Sequence, residues 1–302
     1  MADCSTRDFV TLDVFTDRPF AGNPLALLPD ACGLGTAQMQ AITREFNLSE
    51  TIFVLPPADP AHRARVRIFY PGGEMPFAGH PTLGCAIWLA TQDAGEGDFD
   101  RVLVLEEEAG LVPVHVTRKD GALRAEFQAP VLPEIQPQAA SHGACAEALG
   151  ISPQDLRAES MAVISGGPSF AFIGVTDAEA LGRARPMQPA FDTVQTALSA
   201  GGVYVYAQTG AQSWQARMFD PGGGIPEDPA TGSATALFAA QLLAMGALAE
   251  GETRLSLRQG VEMGRPSELG LRVICKDGAL SAVHVSGSAV EISQGRIRVP
   301  AP

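Results

Sequence analysis

The feature that most constrains this chain is a long-range repeat. Residues 65–92 read RVRIFYPGGEMPFAGHPTLGCAIWLATQ, and the chain from Trp214 reads WQARMFDPGGGIPEDPATGSATALFAAQ. Arg67, Phe69, Pro71, Gly72, Gly73 and Pro76 match Arg217, Phe219, Pro221, Gly222, Gly223 and Pro226. The loops then differ in length, after which Pro81, Gly84, Ala86 and Leu89 match Pro229, Gly232, Ala234 and Leu237. A spacing of about 150 residues is too long for a solenoid unit. It predicts two similar domains related by a pseudo-two-fold.

Each copy predicts strand, loop and helix. Val66, Ile68 and Tyr70 alternate with Arg65, Arg67 and Phe69, as in a strand with two unequal faces. Pro71, Gly72 and Gly73 break it. Leu83, Ala86, Ile87 and Ala90 recur at helical spacing, as do Ala234, Leu237, Phe238, Leu242 and Met245, and Gly246 can end the second helix. Pro81 and Pro229 suit a first helical turn, where a missing N–H costs little. His80 and Asp228 then fall near the two N-caps. A helix start presents unpaired N–H groups and a partial positive charge, so two of them can hold a carboxylate. Read singly, Asp228 is a helix cap and the loops are turns; the repetition of a polar residue before the same proline argues for a site.

Along the chain, residues 9–15 read as a strand, 25–28 as its hairpin partner, 33–47 as a helix and 51–55 as a strand. Residues 94–100 read as a loop, and 102–105, 112–116 and 123–127 as a meander. The proline-rich stretch 129–138 reads as a linker. Beyond it, 142–149, 178–184 and 191–199 read as helices, and 152–156 as the start of another. Residues 162–165, 170–175, 203–207, 253–257, 271–275, 283–285 and 297–299 read as strands. The domains are therefore placed at 1–128 and 139–289, with residues 290–302 as candidates to complete the first. Both halves share the order hairpin, helix, strands, then strand–loop–helix, which is an α+β pattern with one main helix per domain packed by a sheet.

The balance of charge narrows the function classes. A net charge of −13 over 302 residues disfavours nucleic acid and anionic membrane surfaces as partners. No stretch is long and apolar enough to span a membrane, and no signal peptide is visible. Cys4, Cys32, Cys85, Cys145 and Cys275 are odd in number and widely spaced, as in a cytoplasmic protein with reduced thiols. The histidines lack metal-ligand spacing, and neither a phosphate-binding loop, a dinucleotide fingerprint nor a G-x-S-x-G elbow appears. The expectation is an activity with no organic cofactor and no metal.

GHPTLG and DPATGSA resemble the paired motifs of the PhzF-like family of phenazine-biosynthesis-type proteins, within the diaminopimelate epimerase superfamily. The resemblance continues, in order, through DVFTDRPFAGNPLALL at 13–28, NLSETIFV at 47–54 and QGVEMGRPS at 259–267. It implies two domains, each a sheet wrapped round a central helix, with the active site in the cleft between them. It also implies a homodimer and a cofactor-independent isomerase that moves a proton on a small cyclic or unsaturated carboxylic acid.

By itself Glu50 reads as a solvated residue at a strand start; the resemblance makes it the proton-shuttling acid/base. His80 and Asp228 would orient the substrate or assist transfer, with a buried, hydrogen-bonded histidine as the plainer reading of His80. Gly79, Gly232 and Ser233 would offer backbone N–H groups and a hydroxyl to a carboxylate or developing enolate, although either glycine could serve backbone shape alone. Thiol-dependent epimerases of the superfamily carry one cysteine in each repeated loop. Here those places hold His80 and Asp228, and Cys85 reads as a small core residue. An epimerase using Glu50 and a second acid/base, or a non-catalytic small-acid-binding protein, are the rival readings.

Overall fold

The computed structural model describes residues 6–137 and 140–301. The chain divides into two units, Met1–Pro130 with Ser286–Pro302, and Val131–Val285.

The first unit runs β1 (Thr6–Val14), β2 (Asn23–Leu28), α1 (Thr36–Phe46), β3 (Glu50–Leu55), β4 (Ala64–Tyr70), β5 (Gly73–Met75), α2 (Gly79–Ala94), β6 (Phe99–Glu107), β7 (Gly110–Lys119) and β8 (Ala122–Gln128). The chain's last strand, Ala289–Arg298, lies antiparallel to β1. From it the sheet continues through β1, β2, β3, β4, β6, β7 and β8, with parallel steps at β2–β3 and β4–β6. Helix α2 packs on β1, β2, β3, β6, β7 and β8, so the sheet wraps round it. A helix apolar on every side has to be enclosed in this way, and Leu83, Cys85, Ala86, Ile87, Leu89 and Ala90 are all buried. Gly84 permits the close approach: a Cβ there would lie 2.8 Å from both Leu25 Cδ2 and Val14 Cγ2. On the other face, Met39 and Ile42 of α1 cluster with Leu28, Phe53 and Phe69. Strand β3 is therefore covered on both sides and buried throughout, with a continuous apolar run from Ile52 to Leu55.

The second unit repeats this order. It contains β9 (Glu134–Gln136), α3 (His142–Leu149), β10 (Leu156–Ser165), β11 (Ser169–Val175), α4 (Ala178–Arg183), α5 (Ala190–Leu198), β12 (Val203–Gly210), β13 (Ser213–Asp220), β14 (Ile225–Asp228), α6 (Gly232–Ala244), β15 (Gly251–Gln259), β16 (Ser267–Lys276) and β17 (Ala279–Gly287); the last strand is β18. Parallel steps recur at β11–β12 and β13–β15. Helix α6 is likewise buried on all sides and packs on β9, β10, β11 and β16. Phe238 on α6 meets Phe172, Tyr204, Tyr206 and Trp214 in one aromatic cluster. Helices α3, α4 and α5 cover the opposite face through Leu149, Leu181, Phe191 and Val194.

Several boundaries differ from the sequence expectation. Pro81 is the third residue of α2, inside the first turn, but Pro229 lies outside α6, whose N-cap is Thr231. Asp228 ends β14, paired with Met218, because the shorter second loop leaves no room for the extra turn that begins α2. The stretch 129–138 carries β9, a three-residue strand paired with β10. Its prolines at 130, 133 and 137 flank the strand without interrupting it; residue 138 lies outside the described residues, as do Cys4 and the domain starts placed at 1 and 139. Phe99 and Asp100 belong to β6, α1 starts at Thr36, and residues 153–155 form a single 3-10 turn that passes directly into β10. Ser199, in the left-handed conformation, ends α5 before Gly201 is reached. Among the described residues no helix is long and apolar enough to cross a membrane.

Candidate active site

In the first unit, Glu50 opens β3 opposite Leu25 of β2, and His80 is the second residue of α2. Both are buried, at 8% and 5% exposure, so Glu50 is not the solvated residue that its position suggested. Their side chains meet, with His80 Nε2 at 3.4 Å from Glu50 Oε2. That distance would suit an ion pair if the imidazole were charged. Burial argues against the charge: it pushes His80 down to about 3, against a smaller opposing effect from its hydrogen bond to the Pro24 carbonyl. The ring is then a neutral imidazole with its N–H held by Pro24, and Nε2 presents a lone pair toward Glu50. Gly79, the first residue of α2, is buried beside His80.

The second unit builds its helix mouth differently. Asp228 is buried at 6% exposure, and its Oδ2 accepts a 2.6 Å hydrogen bond from Thr231 Oγ1. Gln259, fully buried at the end of β15, donates from Nε2 to the Asp228 carbonyl and to Thr231 Oγ1, and its Oε1 accepts from the Thr231 N–H. The next residue, Gly260, has φ +70°, and a Cβ there would lie 2.7 Å from the Pro229 carbonyl oxygen. Only glycine lets this turn press so closely on the loop that carries Asp228. Gly232 and Ser233 are the first two residues of α6, Gly232 buried and Ser233 partly exposed.

The repeated arginines brace both loops. Arg67 makes a two-pronged contact with Glu74 at 2.6 Å in each prong, and Arg217 does the same with Glu227 at 2.8 and 2.9 Å. The glutamates are not repeat counterparts, for Glu74 precedes Pro76 by two residues whereas Glu227 follows Pro226. The arginine is kept and its acid is supplied from either side of the proline. Each guanidinium also lies over the repeated phenylalanine, 5.1 Å from the Phe69 ring and 4.8 Å from that of Phe219. Cys85 is fully buried in α2, and burial raises its thiol pKa far above the usual range. That is the environment of an inert packing residue.

Residues 12–295 match the family described as phenazine biosynthesis-like protein. The chain belongs to the phenazine biosynthesis-like family. It is 43% identical over 300 residues to an uncharacterized isomerase of Mesorhizobium japonicum, covering 97% of this chain and 99% of that one. It is 37% identical over 289 residues to trans-2,3-dihydro-3-hydroxyanthranilate isomerase of Pseudomonas aeruginosa, covering 95% and 98%. Among solved structures, one described as a predicted epimerase from Pseudomonas aeruginosa superposes with a TM-score of 0.82 at 36% identity, covering 96% of this chain and 99% of that one. A hydroxyproline epimerase from Agrobacterium vitis shares the fold at a TM-score of 0.65 and 13% identity, covering 97% and 91%. This phenazine biosynthesis-like protein is an isomerase with an epimerase-type α+β fold.

Thr231, Gln259, Thr82 and Glu107 contribute to the two helix mouths but were not singled out from sequence. Gln259 opens the QGVEMGRPS block, which was a usable signal. Glu107 sits in a run of three glutamates, Glu106–Glu108, between segments read as strands.

Proposed function

We propose that this protein is a cofactor-independent isomerase that shifts a proton on a small cyclic or unsaturated carboxylic acid. The buried Glu50–His80 pair carries the reading. Glu50 takes a proton from a carbon next to an unsaturated system, and the C–H electron pair delocalises into that system. Glu50, now protonated, donates to the Nε2 lone pair of neutral His80, which holds the proton in place. The carboxyl then returns the proton to a second carbon, so one C–H bond breaks and another forms with no change of oxidation state. A carboxylate in a largely buried setting suits transfer in both directions near neutral pH. Asp228 assists, and Gly79, Gly232 and Ser233 bind the substrate carboxylate through N–H groups and the serine hydroxyl. The reading extends to a cytoplasmic homodimer, supported by family resemblance and by the free thiols of Cys32, Cys85, Cys145 and Cys275.

The first compound to test is trans-2,3-dihydro-3-hydroxyanthranilate, the acid named for the Pseudomonas aeruginosa relative, followed by other small unsaturated acids. In deuterated water, turnover should place deuterium at the receiving carbon to the extent that protonated Glu50 exchanges with solvent before it returns the proton, and a substrate deuterated at the donor carbon should carry the remainder across; Glu50→Gln should lower both by roughly 10²–10⁴-fold while calorimetry still detects binding. Turnover by Glu50→Gln at near the wild-type rate would remove Glu50 from the mechanism. Inversion at one carbon without movement of a double bond would favour the epimerase reading.

A further inference from the structure

The helix mouth of the first unit contains a second buried carboxyl that the proposed mechanism does not use. Glu107, the last residue of β6, is 9% exposed. Its Oε1 lies 2.6 Å from Thr82 Oγ1, and its Oε2 is buried without a hydrogen-bond partner. Thr82 Oγ1 is also 2.8 Å from the carbonyl of Ala78, the N-cap of α2. A threonine hydroxyl has one proton to donate. If that proton goes to Ala78, the Glu107 contact has no proton unless Glu107 supplies it.

The repeat gives an independent view of the same position. Arg65 pairs with Glu106 on β6 as Gln215 pairs with Arg258 on β15. The next residues, Glu107 and Gln259, therefore occupy equivalent places. Gln259 Nε2 donates to Thr231 Oγ1 at 2.9 Å, and that hydroxyl donates to Asp228 Oδ2 at 2.6 Å. The second unit uses an amide donor where the first has a carboxyl, and both act on a threonine at the start of the central helix.

We propose that Glu107 is a positioning residue held as the neutral acid, donating to Thr82 so that Thr82 can donate to Ala78 and fix the turn bearing Gly79 and His80. The local charges leave this proton in place. Arg67 is engaged by Glu74, and Glu106 accepts from the Ala58 and Asp59 N–H groups and from His62. Arg65 and Glu108 line the same 570 Å³ cavity as Glu107, and Cys85 approaches from α2. Burial is the main influence on Glu107 and pushes it up to about 8, with the Thr82 hydrogen bond opposing.

The relevance of Glu107 to catalysis rests on the proposed role of His80, but its test needs no substrate. Raising a carboxyl from an ordinary value near 4.5 to about 8 makes the unfolded chain release a proton that the folded chain keeps. The associated stability is complete below 4.5 and is lost as pH rises through the window up to about 8. Melting temperatures of wild type and Glu107→Gln, which carries a permanent donor, should therefore diverge from pH 5 to 8 in favour of the variant and run parallel above it. A wild-type-minus-variant infrared difference at pH 7 should show the C=O stretch of a protonated carboxylic acid. Parallel melting profiles with no acid band would overturn the neutral-acid assignment. For positioning, the His80 ring resonances, identified with His80→Asn, should stay in place in Glu107→Gln and move in Glu107→Ala. Thr82→Val tests the same link if Glu107→Ala does not fold. Unmoved His80 resonances in either disrupting variant would overturn the positioning role. Failure of the isomerase reading would appear in the deuterium experiment and leave these measurements unaffected.

Discussion

The two helix mouths share an origin in sequence but differ in their protons. In the first, a neutral histidine faces a buried carboxyl at 3.4 Å, and a further buried acid stands behind Thr82. In the second, Asp228, Thr231 and Gln259 form a closed set in which amide and hydroxyl protons have named acceptors. Strand register makes the contrast sharper. Thr51 faces Phe69 as Val203 faces Phe219, so the place of Glu50 is taken in the second unit by Gly202. A Cβ at Gly202 would lie 3.1 Å from Met218 Sδ and from Phe170 Cδ1, so a side chain there would have to push these neighbours aside. On the proposed reading, one copy of the duplicated fold moves a proton and the other holds fixed dipoles.

The largest expected effect follows from this asymmetry. Glu50→Gln should lower turnover by roughly 10²–10⁴-fold, the range of a general acid–base group, with binding retained. Steady-state rates with calorimetric affinities check it, and a defect in affinity alone would erase the distinction between the two mouths.

Next come the braces, which the repeat presents as equals and the structure does not. Arg217 is buried at 7% exposure and also donates to the Leu181 and Ala184 carbonyls, whereas Arg67 keeps 26% side-chain exposure. Arg217→Ala should cost about 3–5 kcal/mol, as expected when one partner of a buried pair is removed. Arg67→Ala should cost about 1 kcal/mol or less, because solvent screens the pair it breaks. Urea unfolding of both variants decides, and equal costs would refute the assigned difference.

The His80 prediction concerns pH. Its folded value is lowered from 6.5 to about 3, so it contributes stability that is present above pH 6.5 and lost as pH falls below it. The loss should be at most roughly 1.4 kcal/mol per pH unit, and it should be absent in His80→Asn. Nitrogen NMR of the His80 ring should show the neutral form from pH 8 down to 4.5. A ring already charged at pH 6 would turn the Glu50 contact into an ion pair and make the two mouths more alike.

The smallest effect belongs to Cys85, which aligns with Ser233. Cys85→Ala should leave turnover unchanged and cost about 1 kcal/mol of stability, as a modest large-to-small core change does. Loss of turnover in a folded Cys85→Ala protein would revive a thiol mechanism.

Much of the fold was legible because periodicity is a local property. The central helices announced themselves by apolar residues recurring at helical spacing, and His142–Leu149 was read at its observed bounds. The short strands β5, β9 and β14 were not legible. Three- or four-residue strands carry too little alternation, and they exist because a partner strand supplies their hydrogen bonds. The misplaced start of α6 has a related cause: Pro229 is compatible with a first turn, yet Asp228 is bound into the β13–β14 pairing. Within the site, His80 was found through the repeat and Glu50 through the family resemblance. Thr82 and Glu107 carried no motif, and their bond joins residues 25 positions apart.

The sequence alone determined the duplication, the two central helices with their helically spaced apolar residues, and the places of Glu50, His80 and Asp228 in the chain. Those follow from residue order and side-chain chemistry. Only the tertiary structure decided that His80 is neutral and which groups meet it. Protonation depends on how completely water is excluded and on which donors and acceptors arrive from distant strands. Folding brings Pro24 to His80, Glu50 to the same ring, and Gln259 to Thr231. No linear pattern records those meetings, because hydrogen-bond partners are matched in space and their energies are set by the local dielectric.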